Sequence, residues 1–141
     1  MTVPTARRGS ESGFTLVELL VVIVIIGILS AIAIPYLMNH RRDANDAAAQ
    51  SDAMNVGRLV RATWEDPATT SVTVSVDLNG NYVIDGEVAF PASDGVVFSG
   101  ITNANDYETW CIGFTHPHGD KAANPGVRFD SQNGYVEQAA C

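Results

Sequence analysis

What this chain has least of narrows its function first. Lysine and arginine together number 8 against 16 aspartates and glutamates, a formal charge of −8 in 141 residues. A domain that grips nucleic acid through phosphates carries the opposite excess. The composition therefore argues against such a domain as a whole and leaves room only for a small local basic patch. The patterns G-x-S-x-G, G-x-x-x-x-G-K-[ST] and H-E-x-x-H are missing. With them go the nucleophile elbow, the phosphate loop and the helical zinc site that those spacings build. The scattered carboxylates do not make an acid–base pair, and no repeat or low-complexity tract occurs. The expectation is a protein that is not an enzyme and needs no cofactor.

Cysteine is scarce too. Cys111 and Cys141 are the two in the sequence, and no C-x-x-C spacing supports a zinc or thioredoxin-type site. If the C-terminal part reaches an oxidising compartment, the two are expected to pair. Closing a loop of about 30 residues stabilises by roughly 3–4 kcal/mol on chain-entropy grounds. Two free thiols are the alternative.

Against this background one stretch stands out: GFTLVELLVVIVIIGILSAIAIPYL, from Gly13 to Leu37, apolar almost throughout and carrying one carboxylate, Glu18. A bilayer-spanning helix takes roughly 20 mostly apolar residues, and residues 14–38 supply them. A carboxylate inside such a run costs roughly 2.5–3.5 kcal/mol at the helix centre, so Glu18 calls for a partner. Residues 1–13 are polar, with Arg7 and Arg8, as in a targeting segment whose positive charge stays cytoplasmic. A conventional secretory signal would be cut after the apolar run, near Ala31-Ile32-Ala33, releasing a soluble binding domain that begins at Ile34. Glu18 and the length of the run argue against that. The other cut lies after Gly13.

Gly13-Phe14-Thr15-Leu16-Val17-Glu18-Leu19 resembles the class III signal of type IV pilins and type II secretion pseudopilins, over Gly13 to about Leu37. The resemblance implies that prepilin peptidase removes residues 1–13 and that Phe14 becomes the N-methylated first residue. It implies that Glu18 pairs with a neighbouring subunit's N-terminal amine during assembly. It also makes Gly27 and Pro35 the helix-weakening positions. A pilin-like α+β fold is implied, with a long kinked N-terminal helix packed on a small antiparallel sheet. The implied partners are other pilin subunits, the peptidase, the cytoplasmic membrane and the pilus assembly machinery. The subunit pool would lie in that membrane and the assembled pilus at the cell surface. Cys111 and Cys141 would bound a C-terminal loop, as in many pilins, which favours a pilus subunit over a pseudopilin of a secretion or DNA-uptake system. A permanently anchored surface enzyme is the remaining rival, and it lacks a catalytic constellation.

The rest of the chain reads as helix, then strands. In residues 39–66, Ala49, Ala53, Val56, Val60 and Thr63/Trp64 recur at helical spacing, with Gln50, Asn55, Arg58 and Arg61 away from the stripe. Pro67 ends the pattern. Residues 67–141 form the expected head. There Thr70 to Leu78 alternates as a strand with one buried face. A three-residue turn at Asn79-Gly80-Asn81 sets Leu78 against Tyr82, Val76 against Ile84 and Val72 against Val88. Gly95 to Ile101 and Thr109 to Thr115 read as further strands, with a last pairing of Phe129 and Tyr135-Val136 about a turn at Asn133-Gly134. Three or four strands are expected in one sheet.

Two metal readings arise. Asp77, Asn79, Asn81 and Asp85 fall at positions 1, 3, 5 and 9 of an EF-hand-like loop. Yet Tyr82 replaces the glycine at position 6, and Val88 stands where a bidentate glutamate belongs, so a polar turn without calcium is the simpler reading. His116-Pro117-His118 with Asp120 could offer imidazoles to a transition metal, but its Pro and Gly suggest a surface loop.

Overall fold

The computed structural model describes residues 13–141. The leader with Arg7 and Arg8 therefore lies outside the described residues, apart from Gly13. The chain divides into two compact units, one up to Leu37 and one from Met38 onward, and each is described by itself.

The first unit is the beginning of a single helix, α1 (Leu16–Thr63), 48 residues long. The helix runs unbroken through Pro35, which contributes no N–H to the ladder. Large apolar residues from Phe14 to Leu37 are exposed all round this segment. A helix apolar on every side belongs in a hydrocarbon or protein interior rather than in water.

The second unit begins on the same helix. Ala49, Ala53, Val56 and Val60 are fully buried in the core, the stripe that the four- and three-residue steps predict. Two further positions, Asp52 and Gly57, are buried on that face. The helix ends at Thr63, three residues short of the expected boundary. Turn bonds from Glu65 N to Ala62 O (3.1 Å) and from Asp66 N to Thr63 O (3.3 Å) follow. The Thr69 hydroxyl donates to Thr63 O at 2.9 Å, satisfying a terminal carbonyl.

Among the described residues the helix packs against seven antiparallel strands in two sheets, not one. β1 (Val74–Val76), β2 (Asn81–Ile84) and β3 (Glu87–Pro91) form the first, in that order. β4 (Val97–Thr102), β5 (Cys111–Thr115), β6 (Val127–Asp130) and β7 (Gly134–Val136) form the second, also in chain order. The last pairing is as expected, with Phe129 opposite Tyr135.

The first hairpin corrects the sequence reading. β1 covers only Val74–Val76, and the register sets Val74 against Ile84 and Val76 against Tyr82, two residues from the expected one. The cause is Asp77. Its Oδ1 accepts from the N–H groups of Asn79 and Asn81, both at 2.8 Å, and Oδ2 accepts from Asn81 Nδ2 at 2.9 Å. Gly80, at φ +80°, closes the turn by donating to Asp77 O. These local bonds start the loop at Asp77 and leave Leu78 fully exposed at its tip. A two-residue slip keeps every side chain on its own face, so the apolar pattern alone could not exclude it. Val72, outside the strand, is still fully buried and donates to Ala104 O.

Aromatic packing completes the core. Trp110 stacks on Phe129 with centroids 6.0 Å apart, and Phe114 lies 5.9 Å from Tyr82 and 5.4 Å from Phe98. The Phe129 ring lies against α1 at Gly57, where a Cβ would collide with it. Arg61, exposed and off the buried stripe, reaches across to the second sheet. Its guanidinium donates to Ser131 O at 2.9 Å and sits 5.4 Å from the Phe129 centroid.

Candidate functional site

The helix N-terminus resolves the question of the lone carboxylate locally. Thr15 N and Thr15 Oγ1 both donate to Glu18 Oε2 at 2.9 Å, and Glu18 N donates to Thr15 Oγ1 at 3.2 Å. This is a reciprocal capping box. It satisfies donors that the first turn leaves without partners, and it places a negative charge at the positive end of the helix dipole. The sequence reading missed Thr15, although T-L-V-E has the spacing that announces such a box.

Beyond the box, α1 contains a segment long and apolar enough to cross a membrane, with none of it buried within the chain's own fold. At the other end of the chain, Cys111 and Cys141 are joined in a disulfide, with Cα atoms 5.6 Å apart. The bond ties the C-terminal residue to β5 in the second sheet.

The prokaryotic N-terminal methylation motif matches residues 8–34, which include the cap and most of the apolar segment. The chain is similar to type IV pilins and, over its N-terminal part, to a type II secretion core protein. A fimbrial protein of Neisseria meningitidis serogroup A is 33% identical over 102 residues, 67% of this chain and 58% of the relative. The type IV major pilin protein PilE of Neisseria gonorrhoeae is 31% identical over 102 residues, 67% of this chain and 59% of PilE. The type II secretion system core protein G of Aeromonas hydrophila is 50% identical over 46 residues, 33% of this chain and 32% of that protein. The chain thus spans a little under three fifths of the fimbrial relatives it matches. No solved structure gives a significant match.

Gly13 and Phe14 precede the helix, and Phe14 is exposed. Gly27 and Pro35 both lie within α1. At Gly27 a Cβ would meet open space, so nothing within the chain requires glycine there.

The calcium reading gains nothing from the geometry. Asp77 is engaged by Asn79 and Asn81, while Asp85 Oδ1 accepts from Thr73 N at 2.7 Å and Thr73 Oγ1 at 3.1 Å. Both carboxylates serve as turn and strand acceptors. Among the described residues no group of three or more His, Cys, Asp or Glu is placed to hold a metal.

The histidine loop is only half as expected. His118 is exposed, but His116 is buried: its Nδ1 accepts from His118 N at 3.2 Å, and its Nε2 lies 3.2 Å from Asp94 O. That pattern requires Nε2 to carry the proton. Asp46, which the sequence reading passed over, holds the same loop. Its carboxylate accepts from the N–H groups of Asp120, Lys121 and Ala122 at 2.9–3.1 Å.

Proposed function

We propose that this chain is the structural subunit, a pilin, of a type IV pilus. Residues 1–13 are removed after Gly13, Phe14 is N-methylated, and the subunit waits in the cytoplasmic membrane before polymerising with other copies through α1. Residues 14–38 form first the membrane span and then the filament core, residues 39–66 carry the head, and residues 67–141 face outward. The observation that carries this reading is an all-round apolar helix segment, exposed in the subunit and headed by the methylation motif. Such a surface needs either lipid or other helices, and its burial is worth about 25 cal/mol per Å² in either setting. In the filament Glu18 exchanges its local donors for a neighbour's amine, a charge-assisted pair that fixes axial register. Gly27 and Pro35 are the places where the helix yields. Prepilin peptidase and the assembly machinery are the partners this life cycle requires.

The fimbrial relatives align over 102 residues, past the motif and into the head, whereas the secretion protein aligns over 46. This extent favours pilus over pseudopilus. Two measurements on sheared cells test the proposal. Mass spectrometry should find mature protein beginning at methylated Phe14, and the fibre fraction should contain it. Mature protein confined to the membrane would turn the assignment to a pseudopilin. A start at Ile34 would mean a secreted domain instead.

A further inference from the structure

A basic cleft lies on the second unit where the apolar run gives out. Met38, Arg41, Arg42, Pro117, His118 and Gly119 line a space of about 440 Å³. Arg41 and Arg42 are exposed, and neither makes an ion pair or hydrogen bond to the described residues. The chain has twice as many acidic as basic side chains, yet these two guanidiniums have no acidic partner among the described residues. The opposite wall is fixed. Asn45 Nδ2 donates to His118 O at 3.0 Å, and Asp46 holds the N–H groups of Asp120, Lys121 and Ala122. The loop is thereby pinned to α1 on either side of Gly119. The nearby acids do not fill the cleft: Asp46 is occupied by those three donors, and neither Asp43 nor Asp120 lines it.

We propose that this cleft holds the phosphate of an anionic phospholipid headgroup while the subunit is in the membrane. The inference rests on the membrane-held stage of the function proposed above. From Leu16 to Met38 the helix rises roughly 34 Å at 1.5 Å per residue, a little more than the ~30 Å hydrocarbon core. Arg41 and Arg42 therefore fall at headgroup depth, on the side opposite the leader. Arginine is disfavoured among residues that must cross a membrane. Guanidinium forks match phosphate oxygens in geometry and charge, and their aliphatic stems suit the interface. His118 and the Gly119 backbone complete the wall around the phosphate.

The test uses the full chain, inserted into vesicles of equimolar phosphatidylglycerol and phosphatidylcholine, extracted in mild detergent and weighed with its retained lipid by native mass spectrometry. Wild type should retain several-fold more phosphatidylglycerol than phosphatidylcholine. The double variant Arg41→Gln/Arg42→Gln should lose that preference. Arg58→Gln, which removes an exposed charge further along α1, should keep it. Wild-type circular dichroism and an intact Cys111–Cys141 bond establish that the variants fold. An unchanged preference in the double variant overturns the proposal, as does an equal loss in Arg58→Gln. Displacement of the lipid by excess inorganic phosphate would mean a free-phosphate site and also overturns it. Insertion without any lipid preference sinks this inference alone, whereas failure to insert sinks the membrane stage with it.

Discussion

Tyr82 Oη donates to Asp52 Oδ2 at 2.8 Å, joining the middle of the first sheet to the buried face of α1. The same carboxylate accepts from Ser93 N at 2.9 Å and Ser93 Oγ at 2.8 Å. One side chain of the helix thus fixes a strand and the segment after β3. Burial, and then the bond to and charge of Asp52, push the Tyr82 phenol far above its ordinary range.

Removing either partner should have unequal effects. Asp52→Ala leaves a buried hydroxyl and a backbone N–H without acceptors and should cost about 2–3 kcal/mol. Tyr82→Phe leaves the carboxylate with both Ser93 donors and should cost about 1 kcal/mol. Thermal unfolding followed by near-ultraviolet circular dichroism measures both. Equal losses would show that Asp52 acts through Tyr82 alone.

Gly57→Ala places a methyl group where the Phe129 ring now lies. Both sides of the contact are packed, since Phe129 also stacks on Trp110. Overpacking of this kind costs about 1–3 kcal/mol, although alanine is the better helix former by about 1 kcal/mol. A net loss of stability is expected. A gain in unfolding temperature would mean that the ring moves aside freely.

Cys111→Ser with Cys141→Ser should lower head stability by roughly 3–4 kcal/mol in the chain-entropy treatment. The helix should survive, because its buried stripe does not depend on the bond. Far-ultraviolet spectra and urea midpoints of oxidised and double-serine protein provide the comparison. Indistinguishable midpoints would contradict the entropic argument.

Glu18→Ala removes the acceptor of the Thr15 box as well as the proposed register partner, whereas Glu18→Gln keeps a capping oxygen and removes the charge. If register depends on charge, both should be cleaved after Gly13 and both should yield few fibres. If capping is what matters, Gln should behave as wild type. Normal cleavage with normal fibre yield in Glu18→Ala sinks the register role.

Acid should loosen the turns first. Hydrogen bonds from Asn81 and Asn79 hold Asp77 below the ordinary carboxylate range, and those from Thr109 and Glu108 do the same for Asp106. For Asp130, burial pushes upward, but donors on Asn133 and Gln132 and the Arg128 charge outweigh it. A carboxylate depressed in the folded state contributes fully above its unfolded value of about 3.9 and loses that contribution as pH falls through the folded one. The unfolding temperature should therefore drop below about pH 4, and less steeply in Asp77→Asn. Alkali acts on the other side. Burial, helped by the Glu137 and Asp46 charges, pushes Tyr135 up to about 12. Its neutral form stabilises the fold up to about pH 10, and this is lost as pH rises toward the folded value. Tyr135→Phe should flatten the alkaline limb.

Features that depend on local pattern were legible in the residues alone. The apolar run, the motif around Glu18 and the alanine–valine stripe each lie in consecutive or helically spaced residues, so composition and periodicity reveal them. The pairing of Phe129 with Tyr135 followed from the turn residues between them. Tertiary structure decided whatever depends on distant partners. The first hairpin slipped by two because Asp77's side-chain bonds set the turn, and a slip of two leaves the hydrophobic faces unchanged. Asp52 is buried against Tyr82, 30 residues on, His116 meets Asp94, 22 residues back, and Phe129 is what requires glycine at position 57. No local spacing encodes those encounters. The basic cleft belongs with them, because Arg41, Arg42 and His118 meet only after Asn45 and Asp46 have pinned the loop to the helix.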